Sequence, residues 1–462
     1  MTGKNQKKNS ARIIGSSPDT QTELANSRRF VELHGDSVRY CFAWKSWLFW
    51  DGKRWTSDRS GYVERRAKDV PDAIWNEALD LNDVQARKFA SASASARSIR
   101  ATLELARSEL PLTPAEMDRD PWLLNCANGT LDLRTGRLEK WDRNQVISCL
   151  CPTGFHADAE SPIWSGFLSS TFGGDTELIG YLQRFLGYCL TGLVSEQLLA
   201  VMCGEGANGK STFLAAFMEM LGPDYAMKAP HDLLLSRRSD SHPTALADLH
   251  RKRFAACVET PDDGKLNETL VKELTGGDRI SARRCYQDFF EFQPTHKLVL
   301  CTNHRPRITG TDHGIWRRLA LIPFNQRFWD PTKGQSGTAE LQIDSDLTQK
   351  LIVEREAILA WCVRGCLDWQ SSGMPQPQAV RLATSEYRQD EDVISQWLAE
   401  RCTQSLGTKL KGAAAYGDYS QWCESTGEGT ASNKKFGAYM KKSFDSRMSN
   451  GVWYLGVELR GA

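Results

Sequence analysis

The sequence predicts an α/β protein: a strand-and-helix core, an α+β region before it and a smaller helix-and-hairpin domain after it. Three observations carry this expectation. Apolar runs at residues 198–203, 253–258 and 297–302 read as buried strands, each delivering a glycine or polar residue at its C-terminal end. Stretches rich in Ala, Arg, Glu and Leu, with few interior prolines, read as helices around them. Aromatic-rich runs broken by short polar turns read as hairpins before and after the core.

At 462 residues the chain exceeds one ordinary core, so about two to four domains are expected. Hydrophobic residues at 40% and charged residues at 25% fit a soluble globular protein. No apolar run approaches the roughly 20 residues needed to span a bilayer. Lys4, Lys7, Lys8 and Arg12 open the chain without an apolar segment behind them, so neither a signal peptide nor a membrane partner is expected and the chain is placed in the cytoplasm. Thirteen cysteines without a C-x-x-C pair argue against a disulfide framework or zinc ribbon. Cys149, Cys151 and His156 are close in sequence, but no fourth ligand is evident nearby, and C-x-C is common in plain strands. The formal net charge of +1 says nothing of partners; the local excess of Lys and Arg over residues 431–462 does.

Taken in order, residues 1–21 read as a disordered basic tail and 22–195 as the α+β region. Within the latter, 38–52 reads as a hairpin dense with rings. Tyr40, Phe42, Trp44, Trp47 and Phe49 are expected to fill a small core, with stacking on nucleic-acid bases as the alternative. Residues 63–110 read as helical, 122–133 as a β unit turning at Asn128 and Gly129, and 163–193 as helical again. The core spans 196–330, a helical linker 331–402, and a terminal domain 403–462.

The chemistry concentrates in the core. Residues 204–212, GEGANGKST, fit G-x-x-x-x-G-K-[ST] between an apparent strand and an apparent helix. Gly204, Gly206, Asn208 and Gly209 belong to a loop whose backbone N–H groups turn toward phosphates, and the following helix N-terminus adds positive dipole. Lys210 then meets the β and γ phosphates of ATP, and Ser211, next to Thr212, holds Mg²⁺. The run ending on Glu259 places a carboxylate where metal and attacking water are expected, and the run before Asn303 delivers an amide to the same sheet edge.

With these motifs in order, followed by residues 272–284 and Trp316-Arg317-Arg318-Leu319, the sequence resembles superfamily 3 helicases. The likeness is to the helicase half of phage and plasmid primase-helicases and to the poxvirus primase-helicase, over about residues 22–330. The resemblance implies a modified AAA+ ATPase that forms a hexameric ring on single-stranded and forked DNA and moves 3′ to 5′, for replication of a phage, plasmid or similar element. It implies that Glu259 polarises water, that Asn303 is the sensor, and that Arg317 or Arg318 is the arginine finger. It also implies a channel hairpin, where Arg279, Arg283 and Arg284 precede Tyr286, Phe289 and Phe290, and a nucleotide or DNA contact at Lys272. Two departures stand out: Thr260 follows Glu259 where several relatives carry a second acid, and no primase-polymerase domain is evident, so a separate primase or polymerase is expected.

Beyond the core, residues 414–424 and 432–444 read as helices and 452–459 as a strand after a turn at 449–451, the order of a winged helix. Lys434, Lys435, Lys441 and Lys442 would then face a DNA groove, with a protein-docking face as the alternative. Against the translocating motor stands an origin-binding initiator that uses ATP only to assemble and melt DNA locally.

Overall fold

The computed structural model describes residues 20–236, 243–258, 264–285, 288–308 and 313–460. The chain opens with α1 (Glu23–His34), whose first turn is closed by the Thr22 hydroxyl accepting from the Ala25 N–H. Strands β1 (Val38–Cys41), β2 (Ser46–Trp50) and β3 (Trp55–Ser57) form an antiparallel meander. Four short helices follow: α2 (Tyr62–Ala67), α3 (Asp69–Asp80), α4 (Val84–Ser93) and α5 (Ala96–Ala106). Phe30, Val38, Val63, Ile74 and Ala106 share their core, against which Trp47 and Phe49 pack. The expected aromatic filling holds only in part. Phe42 and Trp44 fall in the β1–β2 turn rather than on a strand face, and stay 56% and 38% exposed.

A second meander, β4 (Leu123–Cys126), β5 (Gly129–Asp132) and β6 (Arg137–Glu139), leads to α6 (Pro162–Thr171) and α7 (Thr176–Cys189). The single helix expected over 163–193 breaks at Gly173 and Gly174, both at positive φ. The central elements are β7 (Leu199–Cys203), α8 (Lys210–Leu221), β8 (Ala226–Ala229), α9 (Pro243–Ala247), β9 (Phe254–Val258) and α10 (Glu268–Gly276). The hairpin β10 (Ile280–Ala282) and β11 (Phe290–Phe292), then β12 (Lys297–Thr302), α11 (His313–Trp316) and β13 (Leu319–Pro323) complete them.

Five of these strands form a parallel sheet in the order β13-β7-β12-β9-β8. Their side chains alternate between two buried faces. Ala200, Met202, Val299 and Cys301 enter one core, and Leu199, Val201, Leu298 and Leu300 the other. At the start of β9 and β12, the buried Arg253 and Lys297 donate to backbone carbonyls. Arg253 donates to the carbonyls of Leu190 and Leu123, and Lys297 to those of Thr191 and Thr295. Leu190 and Thr191 follow the C-terminus of α7, where the helix dipole favours a cation. Burial nevertheless pulls the Lys297 ammonium down to about 7.

Residues 347–372, expected as a linker, are instead part of this body. Here α12 (Leu347–Val353) and α13 (Arg355–Ser372) pack Leu351, Ile358, Leu359, Cys362, Val363 and Cys366 into the core that holds Phe185, Leu186 and Phe213. The run is too apolar around its circumference to lie free in solvent. The same core takes in α6, α7 and β4, so it also crosses the expected boundary at residue 195. Next, α14 (Gln378–Asp390) covers the exposed edge of the sheet, where the Thr384 hydroxyl accepts from the Leu321 N–H of β13 at 3.0 Å.

The terminal unit comprises α15 (Val393–Arg401), β14 (Cys402–Lys411), α16 (Gly412–Thr426), α17 (Asn433–Ser443), β15 (Ser446–Met448) and β16 (Val452–Leu459), with sheet order β14-β16-β15. Ile394 and Trp397 of α15 join Tyr419, Phe436 and Met440 in one core, so this unit begins before residue 403. The helix expected over 379–402 breaks at Asp392, whose carboxylate accepts from the Ser395 N–H to start α15. No helix among the described residues is long and apolar enough to cross a membrane.

The crossing of α7 and α13 depends on two glycines. A Cβ on Gly187 would collide with the backbone of Cys366 and Cys362, and one on Gly365 with the Gln183 carbonyl. Alanine at either site gains about 1 kcal/mol of helix propensity. Because the obstruction is backbone, overpacking outweighs that gain by costing about 3 kcal/mol. Gly187→Ala and Gly365→Ala should each lower the denaturant midpoint; unchanged midpoints would contradict the close crossing.

Candidate active site

The phosphate-loop motif spans the gap between β7 and α8, and two of its glycines, Gly204 and Gly209, are where the backbone requires them. Gly209 caps α8 at φ +83, and Ala207 also takes the left-handed region at φ +58. A side chain on Gly204 would collide with the carbonyl of Phe324, the residue that follows β13. Asn208 is buried and braces the loop: its side-chain oxygen accepts from the Lys210 N–H at 3.4 Å and its amide donates to the Phe324 carbonyl at 3.4 Å. A further tie runs from the Phe328 N–H to the Ala207 carbonyl at 2.7 Å.

Lys210 is buried in this loop, and its ammonium donates to the Gly204 carbonyl and, at 3.1 Å, to the side-chain oxygen of Asn303. Burial holds its pKa below the ordinary lysine value. Asn303 follows β12, which pairs in parallel with β7 so that Thr302 lies opposite Cys203. The register alone therefore brings Asn303 to the phosphate loop. Ser211 is exposed and Thr212 half-buried in the first turn of α8, and Gly206 is open to solvent. Glu259 lies outside the described residues, as does Tyr286.

The two arginines before β13 are at the opposite end of the sheet. Leu319 pairs with Leu199 and Pro323 with Cys203, so the length of the strand, about 13 Å at roughly 3.3 Å per residue, separates them from the loop. Arg318 is buried and donates to the Gly314 carbonyl at 2.7 Å and to Gln197 at 3.3 Å. Arg317 is exposed and shares the same Gln197 oxygen at 3.3 Å.

Of the remaining basic positions, Arg279, Arg283 and Arg284 are exposed at or beside the β10–β11 hairpin. Arg283 lies over the Phe289 ring at 5.0 Å, and Arg284 pairs with Asp248 at 2.9 Å. Lys272 is half-buried on α10, whose Leu270, Val271 and Leu274 face the core. On α17, Phe436 and Met440 point inward while Lys434, Lys441 and Lys442 are exposed and Lys435 is half-buried.

Residues beyond the motifs also reach this edge. Arg327, Phe328, Asp330, Lys333, Gln335 and Ile343 join Glu205, Gly206 and Ala207 around a cavity of about 260 Å³. The signal for them was the apolar run 319–323, which extends the sheet by one strand and returns the chain beside the phosphate loop.

Residues 27–173 match the family described as D5 N terminal like, and residues 202–318 match a family of unknown function. Among curated proteins, the chain is 28% identical over 340 residues to a putative helicase, L207/L206, of Acanthamoeba polyphaga mimivirus, covering 69% of this chain and 35% of that protein. It is 24% identical over 310 residues to the putative primase C962R of African swine fever virus (strain Badajoz 1971 Vero-adapted), covering 63% and 32%. It is 25% identical over 252 residues to the uncoating factor OPG117 of Vaccinia virus (strain Western Reserve), covering 50% and 31%. The chain thus spans about a third of the length of these relatives. A solved structure, the A form apo NrS-1 C terminal region (305–718), is similar at a TM-score of 0.48 and 11% identity, covering 94% of this chain and all of that one.

The Lys210 to Asn303 contact generates a graded expectation. Lys210→Ala should abolish nucleotide hydrolysis, because it removes the cation of the loop. Asn303→Ala should leave nucleotide affinity within a few fold and slow turnover by about 100-fold. Equilibrium binding of a fluorescent nucleotide alongside phosphate release checks both; near-normal turnover in Lys210→Ala would contradict the site.

Proposed function

We propose, from the relationship of this chain to the viral D5-like primase-helicases, that it is an ATP-driven, ring-forming DNA helicase of the AAA+ type, moving 3′ to 5′. The observation that carries this reading is the placement of Lys210 and Asn303 at one end of the parallel sheet and of the exposed Arg317 at the other. An arginine so placed cannot serve its own nucleotide. In a ring, it would serve the neighbour's.

In this mechanism Lys210 exchanges its contact with Asn303 for the β and γ phosphates of ATP, and Asn303 turns to the γ-phosphate or the attacking water. Glu259 polarises that water. The exposed hydroxyl of Ser211, one residue after Lys210, and the Glu259 carboxylate are oxygen donors suited to Mg²⁺, which neutralises charge on the phosphates when bound. Arg283 and Arg284 on the β10–β11 hairpin grip the DNA backbone in the ring's channel, joined by Arg279 and Lys272. The terminal unit, ordered helix, strand, two helices and a hairpin, is winged-helix-like, and its α17 lysines meet duplex DNA. Its lysine face equally suits the alternative, an initiator that binds an origin and melts it locally. A hexamer, a separate primase or polymerase, a place in the replication of a phage, plasmid or similar element, and a cytoplasmic location belong to the same proposal.

The test follows from the unequal burial of the two arginines. Arg317→Ala should keep nucleotide binding and lose hydrolysis by about a thousand-fold, and mixing it with Lys210→Ala subunits should restore part of the activity. Arg318→Ala should instead lower the melting temperature, since it vacates a buried, hydrogen-bonded position. Mixed rings shown to form without any rescue would contradict action on the neighbouring site.

A further inference from the structure

The β1–β2 turn holds two large rings in solvent on a rigid mount. The turn is closed by the Lys45 N–H donating to the Phe42 carbonyl at 3.2 Å. Phe42 packs edge-on against Tyr40 at 4.9 Å, and Tyr40 in turn lies beneath the Arg107 guanidinium at 4.9 Å. Trp44 is pinned on one side by Arg251, 5.0 Å from the ring. Arg251 is itself fixed, donating to the Ser148 hydroxyl at 2.7 Å and pairing with Asp118 at 3.3 Å. Phe42, against Tyr40, and Trp44, beneath Arg251, nevertheless stay 56% and 38% exposed.

The mount is shared with the β10–β11 hairpin. Within the four residues 248–251, Asp248 holds Arg284, His250 packs against the rings of Phe290 at 5.5 Å and Phe292 at 5.1 Å, and Arg251 covers Trp44. A strand held at the hairpin arginines would therefore leave onto the surface that carries the turn.

We infer that Phe42 and Trp44 are a base-stacking contact for single-stranded nucleic acid. The rings accept successive bases, while the exposed Lys45 faces the backbone and Arg251 holds Trp44 in place. Only the continuity with the hairpin rests on the helicase reading; the contact itself needs no ATP. Rings flanked by cations favour a polyanionic strand over an apolar protein surface.

The test uses the full chain, a fluorescent oligothymidine and anisotropy without nucleotide. Phe42→Ala with Trp44→Ala should weaken binding by about ten-fold or more. The slope of log affinity against log salt should stay unchanged, because no phosphate contact is removed. Phe42→Tyr with Trp44→Phe should retain affinity, and basal ATPase should be the same in all variants. Unchanged affinity in the alanine variant overturns the inference. So does a loss that tracks a change of oligomeric state in sedimentation, which would assign the turn to a second copy of the chain. Should the alanine variant be unstable, photocrosslinking of wild type to iodouracil-substituted strand decides: adducts on residues 42–44 support the contact, and adducts elsewhere only overturn it. Failure of the helicase reading would show separately, as absent strand displacement by a chain whose static binding still depends on the two rings.

Discussion

The parallel pairing of β7 with β12 and β13 is the constraint on which the site depends. Because the register sets Thr302 and Pro323 opposite Cys203, the residues just past each strand, Gly204, Asn303 and Phe324, emerge at one level. The Lys210 ammonium bonds the carbonyl of the first and the side chain of the second, and the Phe324 carbonyl receives the Asn208 amide. A parallel sheet with both faces buried holds that register strongly, since a one-residue slip would exchange its two cores. The same register sends Arg317 to the far end of the sheet, so in the proposed ring one geometric fact sets both the nucleotide side and the side that meets a neighbour.

What surrounds the sheet ties the flanking elements to it. Arg253 and Lys297 carry their charge into the start of β9 and β12 and discharge it on carbonyls of β4 and of the turn after α7. Such cations hold their partners in one arrangement, because leaving any of them unpaired in the interior is costly. The α7–α13 crossing adds the helices after the sheet to the same body. The segment 248–251 then joins the β10–β11 hairpin to the N-terminal turn. In the proposed motor, displacement of the hairpin would be felt at Trp44 through Arg251, within a few residues of backbone.

Local elements were legible in the sequence and their packing was not. The loop at 204–212, the strands leading to Glu259 and Asn303, and the terminal helices and strand at 452–459 each have a signal contained in a short window. The strand at 319–323 passed unseen because a five-residue apolar run after Arg318 has no periodicity to distinguish it from a helix turn. Residues 347–372 looked like a linker because a Gly-, Ser- and Thr-containing stretch precedes them and Pro375 and Pro377 follow; only the glycines at 187 and 365, far apart in sequence, explain why α13 fits against α7. Phe42 and Trp44 looked like core because ring content was counted without knowing where the turn would fall. Of the two arginines at 317 and 318, sequence could not separate roles. In the fold they differ: Arg318 is buried and bonded to Gly314 and Gln197, whereas Arg317, on the same Gln197 oxygen, is exposed.

Strand displacement shows most directly whether ATP at the loop edge of the sheet drives movement along DNA, as proposed. On forked duplexes differing only in which strand is tailed, a 3′ to 5′ motor gives ATP-dependent release with a 3′ tail, little with a 5′ tail, and none with Lys210→Ala. Nucleotide hydrolysis that yields local duplex melting but no release from either fork would contradict the motor and leave the initiator in its place.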